Sequence, residues 1–577
     1  PPFDVAQTAG VPFDVYITAY GQTANDPMCG IIESYAGDKS LDFWSQYVDP
    51  STGTVAVQID GASIGASEAT AANRTVTFAG GQATVLANYK DVGGKQILVK
   101  DVTIVNPDLP NGIRGATAAF VVRPYDFVVS DVWDAAGVVP NPAADDANGL
   151  RFIAAGAPFR ATVAATDADG DATPNYGQES TPERVRLVPQ LIAPAVGNNP
   201  AIAPMFDSWS AGRSTELDFV WREVGVIDVW AEVGDGDYLG AGNVAASTAV
   251  RVGRFYPDHF ELAFNAPMLA TACGPGQFTY VGESFDYLVA PVLTATAVDV
   301  AGNTTVNYTA DDDIFKLATT TLANRTYGAT TGTIDDSGVP PPSADPVVTR
   351  LPGTGAATLT FSSGTGLWFE RTTPVAPFAA QVWLSIDVID SDLVAAPAPG
   401  VFGASGGMLW SSGDEVRYGR LRFVNAVGSE LVNLPVPLIA EHYDGAANGF
   451  VPNFDDTCTT GVTLALGGFT ENLNAGETCV LDSGNPGGSG IGCAAAAPFS
   501  QQFRQPPAAG DFNLALAAPG AGNTGSVTIT ASVPDYLKFD WNADVSSPGD
   551  EDPSGTATFG LFGGEPRQIY LREIYGN

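Results

Sequence analysis

The stretch Ala165-Thr-Asp-Ala-Asp-Gly-Asp-Ala-Thr-Pro-Asn-Tyr176 occurs a second time, without gaps, as Ala297-Val-Asp-Val-Ala-Gly-Asn-Thr-Thr-Val-Asn-Tyr308. Ala, Asp, Gly, Thr, Asn and Tyr stand at matching positions in the two copies. The Asp and Gly are typical of a tight turn, and the residues before them are typical of a strand. Because the copies lie more than about a hundred residues apart, the period is too long for a solenoid and indicates tandem domains.

A second repeated signature supports the same interpretation. Tyr89-Lys-Asp-Val-Gly93 and Trp221-Arg-Glu-Val-Gly225 each combine an aromatic residue, an acid and Val-Gly before a hydrophobic strand. Each predicted domain also opens with an aromatic residue after Pro or Ser, namely Phe13, Phe159 and Phe285. These features are typical of immunoglobulin-like β-sandwiches.

Alternation of apolar and polar residues with period two dominates the chain and predicts strands. Phe13 to Ala19 and Val527 to Val533 show it clearly. Leu434 to Ala440 alternates as well, but it contains Pro435 and Pro437. Since each proline removes a ladder donor, we expect this strand to lie at a sheet edge or to contain bulges.

Length and composition predict an all-β chain of about four domains. The chain has 577 residues, with 65 Gly and 42 Pro, which favours short strands and many turns. The repeats place immunoglobulin-like β-sandwich domains at 1–126, 127–254 and 255–411. The region 412–577 does not repeat the pattern, and we expect a distinct C-terminal β domain with a cysteine cluster there.

The charge balance excludes some classes of partner. With 64 Asp and Glu against 26 Lys and Arg, the net charge is -38, which repels nucleic acid and anionic lipid. No run of eighteen apolar residues is present, so no membrane span is expected. The chain opens on Pro1-Pro2, which suggests a processed precursor or a fragment of a longer one.

Five cysteines indicate an oxidising compartment. Cys458, Cys479 and Cys493 lie close together in a loop-rich stretch, where a disulfide would close a short loop. We expect one bond among these three, formed by Cys479, which lies between the other two. The odd total, with Cys29 and Cys273, leaves at least one thiol free or paired between chains.

Asp167, Asp169 and Asp171 form the best metal candidate in the sequence. Carboxylates at alternate positions around a Gly turn can converge on a calcium ion. The matching positions in the second copy keep one carboxylate, Asp299, beside Ala301 and Asn303, so that turn forms without an ion. Calcium and a plain Asp/Gly hairpin turn both fit the sequence.

Residues suited to catalysis are scarce. His259 and His442 are the only histidines, and the chain has no Gly-x-Ser-x-Gly elbow before a helix. A pair of acids could serve a glycosidase, but no pair in the sequence points to one. Trp44 and Trp368 could stack on sugars, although a sandwich core is the commoner place for such residues. We therefore expect a protein that is not an enzyme and has no certain cofactor, calcium being the possible one.

Distinctive motifs occur in a fixed order along the chain. They are Gly253-Arg-Phe-Tyr-Pro-Asp-His-Phe260, Arg417-Tyr-Gly-Arg-Leu-Arg-Phe423, Asn425-Ala-Val-Gly-Ser-Glu430, Asp455-Asp-Thr-Cys-Thr459, Ala557-Thr-Phe-Gly560 and Ile569-Tyr-Leu-Arg-Glu573. In this order they resemble the C-terminal region of MshQ-type proteins, which are encoded with the mannose-sensitive haemagglutinin type IV pilus of Gram-negative bacteria. The resemblance covers essentially the whole chain. It implies an extracellular, cell-surface or pilus-associated protein and supplies no catalytic residues.

Two functions follow from the sequence and the resemblance together. The first is an adhesin, or a stalk that presents one, with pilus or cell-surface proteins as partners and a glycan or host surface as possible target. The alternative is a structural subunit of an extracellular filament, which self-associates through strand edges. The segment Pro1-Pro2-Phe3-Asp-Val5 is a candidate for insertion into a neighbouring chain.

Overall fold

The computed structural model describes most of the chain. The described residues are 5–23, 26–104, 111–244, 248–274, 277–481, 500–502, 508–541 and 550–560. Pro1 to Asp4, Cys493 and the motif at Ile569 lie outside them. The described chain forms strands, turns and four short 3-10 helices (Glu68–Thr70, Val306–Thr309, Thr319–Thr321 and Asp535–Leu537), which confirms the all-β fold class.

The first unit is a two-sheet sandwich with an added hairpin, β3–β4. Its strands are β1 (Ala6–Thr8), β2 (Phe13–Thr18), β3 (Tyr20–Thr23), β4 (Asp26–Ile31), β5 (Gly37–Asp49), β6 (Gln58–Ile59), β7 (Ala62–Ser63), β8 (Ala72–Phe78), β9 (Gln82–Asn88), β10 (Gly93–Asp101), β11 (Ile113–Ala116) and β12 (Phe120–Arg123). One sheet has the order β1-β12-β10-β5-β8, with β11 on β10, and the other β2-β9-β6-β7. Phe13 and Val15 of β2 are buried, as their alternation predicts.

The second unit is smaller and has two three-stranded sheets. Its strands are β13 (Asp126–Asp134), β14 (Phe159–Thr166), β15 (Val185–Ala193), β16 (Arg213–Phe219), β17 (Gly225–Val233) and β18 (Val250–Phe255). The sheets are β13-β14-β16 and β15-β17-β18. One continuous cluster of buried apolar side chains fills both this unit and the first.

The third unit contains the most strands. They are β19 (His259–Phe264), β20 (Met268–Ala270), β21 (Phe278–Tyr280), β22 (Phe285–Val289), β23 (Val292–Val298), β24 (Ala323–Ala329), β25 (Ile334–Asp335), β26 (Val347–Leu351), β27 (Ala356–Thr360), β28 (Gly364–Phe369), β29 (Phe378–Ala379), β30 (Val382–Asp387), β31 (Gly400–Phe402), β32 (Leu409–Trp410) and β33 (Glu415–Arg417). The sheets are β19-β23-β27-β26, β25-β28-β22-β20-β32, β24-β30-β31 and β21-β33-β29. They enclose a second core cluster, except that Phe278 and Tyr280 of β21 belong to a third cluster, shared with the fourth unit.

The fourth unit follows directly. Its strands are β34 (Gly419–Phe423), β35 (Ala426–Gly428), β36 (Leu434–Pro435), β37 (Leu438–Tyr443), β38 (Phe450–Pro452), β39 (Thr463–Gly467), β40 (Val480–Leu481), β41 (Ser500–Gln502), β42 (Ala515–Leu516), β43 (Gly525–Ser532) and β44 (Ser554–Phe559). The sheets are β34-β37-β38, β35-β44-β43-β39-β41 and β36-β42-β40. The predicted strand at Leu434 to Ala440 is broken between β36 and β37, beside Pro437, because proline cannot donate to the ladder.

Candidate functional site: the joints between the units

The first joint combines one backbone hydrogen bond within the first unit with one between the first two units. The Gly10 amide donates to the Tyr89 carbonyl at 2.9 Å, and the Ala168 amide of the second unit donates to the Ala9 carbonyl at 3.0 Å. Gly10 has φ +78°, and a Cβ there would lie 2.7 Å from the Ala168 nitrogen. A glycine is therefore required for both the conformation and the close approach.

Side chains complete the first joint. The Asn175 amide donates to Asp91 Oδ1 at 2.9 Å, and Asn175 Nδ2 donates to the Tyr89 hydroxyl at 3.2 Å. Lys90 Nζ lies 2.6 Å from Asp169 Oδ2. The closing signature at Tyr89 to Gly93 thus contacts the turn repeat at 165–176, so the two sequence repeats are two halves of one joint.

The second joint repeats the backbone contacts of the first. The Gly156 amide donates to the Trp221 carbonyl at 2.8 Å, and the Val300 amide donates to the Ala155 carbonyl at 3.1 Å. Gly156 has φ +77°, close to that of Gly10. The same arrangement is therefore built twice along the chain.

The side chains of the second joint follow the same plan with longer groups. Both Glu223 oxygens accept backbone amides of the third unit, from Val306 and Asn307 at 3.1 Å each. Arg222 Nη1 lies 3.0 Å from Asp299 Oδ2. Glu223 is 1% exposed, so these bonds satisfy a buried carboxylate.

A second contact supports the joint between the second and third units. Arg254 donates both terminal nitrogens to the two oxygens of Asp392, at 2.5 and 2.8 Å. The Arg254 side chain is 6% exposed, which makes this a sheltered bidentate pair.

Asp167 and Asp299 lie at equivalent turns. Oδ1 of Asp167 accepts the amides of Asp169 and Asp171, and Oδ1 of Asp299 accepts those of Ala301 and Asn303. The sequence repeat therefore reports a real structural equivalence.

A third copy of this turn, which the sequence did not reveal, lies at Asp390. Its Oδ1 accepts the amides of Asp392 and Val394. Leu393, at φ +63°, stands where the other two turns have Gly170 and Gly302. The missing glycine explains why the pattern was not visible, since a leucine seldom adopts this conformation.

The three aspartates proposed for calcium do not converge. Among the described residues, one group of three potential metal ligands has its donor atoms within 4.8 Å of one another, and it is Cys273, Asp456 and Cys458. Asp167 Oδ1 is already occupied by backbone amides, and the Lys90 ammonium lies against Asp169. Calcium at Asp167, Asp169 and Asp171 stays a prediction, and the geometry favours Lys90 as the cation.

A buried lysine lies behind the first joint. Lys95 is 0% exposed, and within the described structure its Nζ has no hydrogen-bond partner. Nζ lies 3.1 Å from the ring centroid of Tyr47 and 4.7 Å from that of Tyr89. Burial lowers the pKa of Lys95 to about 7, an effect that the Asp91 carboxylate opposes. Burial likewise raises the pKa of Asp91 to about 6, against the pull of the Asn175 and Val92 amides.

The third joint keeps one element of the pattern and adds a disulfide. The Gly282 amide donates to the Phe369 carbonyl at 2.9 Å, as Gly10 and Gly156 donate to their aromatic partners. Cys273 and Cys458 are bonded, with their Cα atoms 5.5 Å apart. The sequence did not indicate this role of Phe369, because Arg371-Thr372-Thr373 stands where the other two signatures have an acid and Val-Gly.

A buried polar cluster lies beside the disulfide. The Tyr280 hydroxyl donates to Asp456 Oδ2 at 2.8 Å and accepts from Asn453 Nδ2 at 2.7 Å. The amides of Cys458 and Thr459 donate to Asp456 Oδ1. These bonds fix the residue that carries one sulfur of the bridge.

Cys458 has a partner that the sequence did not indicate. Cys458 is bonded to Cys273, 185 residues away, and not to a near neighbour. Cys479 is disulfide-bonded, and Cys493 lies outside the described residues. A bond within the cluster stays a prediction. Cys29 is free and exposed.

A cavity of about 1040 Å³ lies between the third and fourth units. Trp368, Glu283 and Asp286 of the third unit and Tyr536 of the fourth are among the residues that line it. Burial raises the pKa of Glu283 to about 7, although its Oε2 accepts the Tyr280 amide at 3.0 Å. The cavity thus offers carboxylate acceptors beside a half-buried indole ring.

The other residues weighed from the sequence lie apart from the joints or within cores. Trp44 is 3% exposed, in agreement with the core interpretation, whereas Trp368 is half-buried and lines the cavity. His259 Nδ1 lies 2.8 Å from Asp258 Oδ2. Burial lowers the pKa of His442 in β37, and the nearby Arg417 adds to this effect.

Family models match nearly the full length of the chain in four consecutive pieces. The domain of unknown function DUF6701, first Ig-like domain, matches residues 2–108, and the DUF6701 second domain matches 123–217. The third and fourth DUF6701 domains match 223–404 and 417–574. No curated protein matches.

Solved structures show only distant likeness. Invasin, a bacterial integrin-binding protein, is 11% identical at TM-score 0.28, over 96% of this chain and 77% of that one. The D0-D1 domain of intimin is 13% identical at TM-score 0.13, and the match covers 43% of this chain and 94% of the intimin chain. Escherichia coli alpha-2-macroglobulin activated by porcine elastase is 8% identical at TM-score 0.14, and the match covers 96% of this chain and 43% of the macroglobulin chain. Likenesses this weak carry no conclusion on function.

Proposed function

Since this chain belongs to the DUF6701 family and carries its four domains in order, we propose that it is a non-enzymatic stalk displayed on a bacterial surface. The stalk presents an adhesive element away from the cell, as part of a pilus system. The pilus assignment rests on the resemblance of the motifs at Gly253, Arg417 and Ala557 to MshQ-type proteins.

The observation that carries this proposal is a parallel pairing, in each unit, between an early segment and a late one. In the first unit Ala6 to Thr8 pairs with Val121 to Arg123, and in the second Ala154 forms a parallel bridge with Tyr256. In the first unit, whose first strand takes part in the pairing, the two chain ends therefore lie at opposite ends of the sandwich. Units linked in this way follow one another end to end.

The third and fourth units share this pairing. Met268 and Leu269 pair in parallel with Leu409 and Trp410, and β35 pairs in parallel with β44. The joints then hold each unit against the next through buried hydrogen bonds. Such an arrangement gives reach without a flexible linker, which is what a stalk requires.

The net charge of -38 suits display in an aqueous environment. Like charges keep copies of the chain apart in solution and repel anionic surfaces. Among the described residues, no helix has the length and apolar character needed to cross a membrane.

Electron microscopy of the purified chain, with protease accessibility on intact cells, tests this function. A stalk gives discrete particles of one length, and external protease removes it from cells. Periodic fibres would support the filament alternative instead. Protection from protease on intact cells would contradict surface display.

A further inference from the structure

The parallel ladder between the first and last strands of the first unit lies along the direction in which a stalk is pulled. When the two ends of a unit with parallel terminal strands are drawn apart, the strands slide along each other. All bonds of the ladder then carry load together, since none can open before the others. In the first unit these bonds include the Val121 amide to the Val5 carbonyl at 2.8 Å and the Ala9 amide to the Arg123 carbonyl at 2.9 Å.

The Cys273–Cys458 bond changes the route by which tension passes along the chain. Cys273 follows β20, near the start of the third unit, and Cys458 follows β38 in the fourth. The strands β21 to β38 therefore lie inside the covalent loop. A tension applied to the chain termini passes through the sulfur atoms and does not reach this segment.

We propose that the chain bears tension from end to end and that the Cys273–Cys458 bond carries this tension past the third unit. Of that unit, only β19 and β20 precede Cys273 and remain on the loaded path. The inference rests on the strand pairing and the disulfide, and not on where the chain is displayed.

The bypassed segment includes most of the cavity between the third and fourth units. Glu283, Asp286 and Trp368 lie within the covalent loop, whereas Asp535 and Tyr536 follow it. Tyr280 and Asp456, which hydrogen-bond next to the bridge, are also within the loop. Of the third-unit residues that line the cavity, those after Cys273 are shielded from load, whereas Ala270 to Ala272 precede the bridge and stay on the loaded path.

Single-molecule force spectroscopy of the full chain, held by its termini, measures this directly. The parent carries Cys29→Ser, which removes the exposed thiol. It is compared with the same chain carrying Cys273→Ala and Cys458→Ala, which leaves Cys479 unchanged. The loop spans 185 residues, and at roughly 3.3–3.6 Å per extended residue the variant should reach a contour length about 60 nm greater.

A second comparison uses the parent alone, with and without reductant, in case the variant folds poorly. Traces of the parent under oxidising conditions should also be shorter than those with reductant by about 60 nm. Equal contour lengths in the variant and the oxidised parent, or in the parent with and without reductant, would overturn the proposal. So would smooth extension of the parent without force peaks, because the first unit, loaded along its ladder, should resist extension.

Discussion

Lys95 is a buried ammonium that the fold tolerates at a cost. Its pKa falls from 10.5 to about 7 because the charged form loses water and has the Tyr47 and Tyr89 rings, with Asp91, as its surroundings. Between these two values the unfolded chain holds a proton that the folded chain releases. Stability therefore rises with pH across this window and is lowest below pH 7.

Lys95→Met should remove this dependence. We expect urea denaturation of the parent to show a free energy of unfolding that rises by up to about 1.4 kcal/mol per pH unit between pH 7 and 9. The variant should lack this contribution. Lys39, whose Nζ lies 4.8 Å from the Tyr35 ring but which is only half-buried, gives the matched control Lys39→Met. Equal slopes for parent and Lys95→Met would show that Lys95 keeps an ordinary pKa.

The contribution of Glu283 to stability changes with pH in the opposite direction to that of Lys95. The folded-state pKa of Glu283 is raised to about 7, so the folded chain holds the neutral acid and pays for ionisation above that pH. Stability falls as pH rises from 4.5 to 7. Glu283→Gln mimics the neutral acid and should raise stability by about 1–3 kcal/mol at pH 8 and leave it nearly unchanged at pH 4.5. The exposed cavity residue Glu370, changed to Gln, is the control. A gain equal at both pH values would contradict the raised pKa.

Calcium at Asp167, Asp169 and Asp171 has a simple test. An ion bound only by the folded chain would stabilise it, so chelator would lower the melting temperature and Asp169→Ala would abolish that effect. Because Lys90 lies against Asp169, we expect chelator to cause no change. Asp169→Ala should cost less than about 1 kcal/mol, since the ion pair is exposed. A parent that chelator destabilises, with an Asp169→Ala variant that it does not, would contradict this expectation and establish the calcium site.

At the scale of elements, the arrangement that recurs along the chain is the joint between successive units. The first two joints each combine a glycine at a left-handed φ, an aromatic carbonyl and an Asp turn, and each part comes from a different stretch of chain. The two repeats could be read from the sequence because they preserve residue types at Asp167 and Asp299. The sequence did not show that the two repeats contact each other, since this contact depends on how successive sandwiches pack. Phe369 and Asp390 escaped notice because their neighbours diverge.

Glu223→Ala tests the second joint. Val224, Val306 and Asn307 would lose the acceptor of their backbone amides in a buried place. We expect a loss of about 2–4 kcal/mol in the free energy of unfolding and faster proteolysis between the second and third units. Glu261→Ala, an exposed glutamate on neighbouring β19, should change stability by less than about 0.5 kcal/mol. Equal effects of the two changes would mean that the joint does not depend on Glu223.

At the scale of the whole molecule, fold class followed from composition and alternation, because period-two burial is a local property of strands. The Cys273–Cys458 bond did not, because residues 185 apart meet only through the packing of two units. Local loop length predicts one bond among Cys458, Cys479 and Cys493, formed by Cys479, and leaves the partner of Cys458 open. Long-range pairing of this kind is not encoded in local spacing.

The most direct test of the joints is the distance between spin labels on neighbouring units. Labels at Leu217→Cys and Val347→Cys, both exposed, would report on the second and third units in a Cys29→Ser background. Pulsed electron resonance should give a single narrow distance distribution, which broadens when Glu223→Ala is added. A broad distribution in the parent, unchanged by Glu223→Ala, would contradict a stalk whose units are fixed end to end.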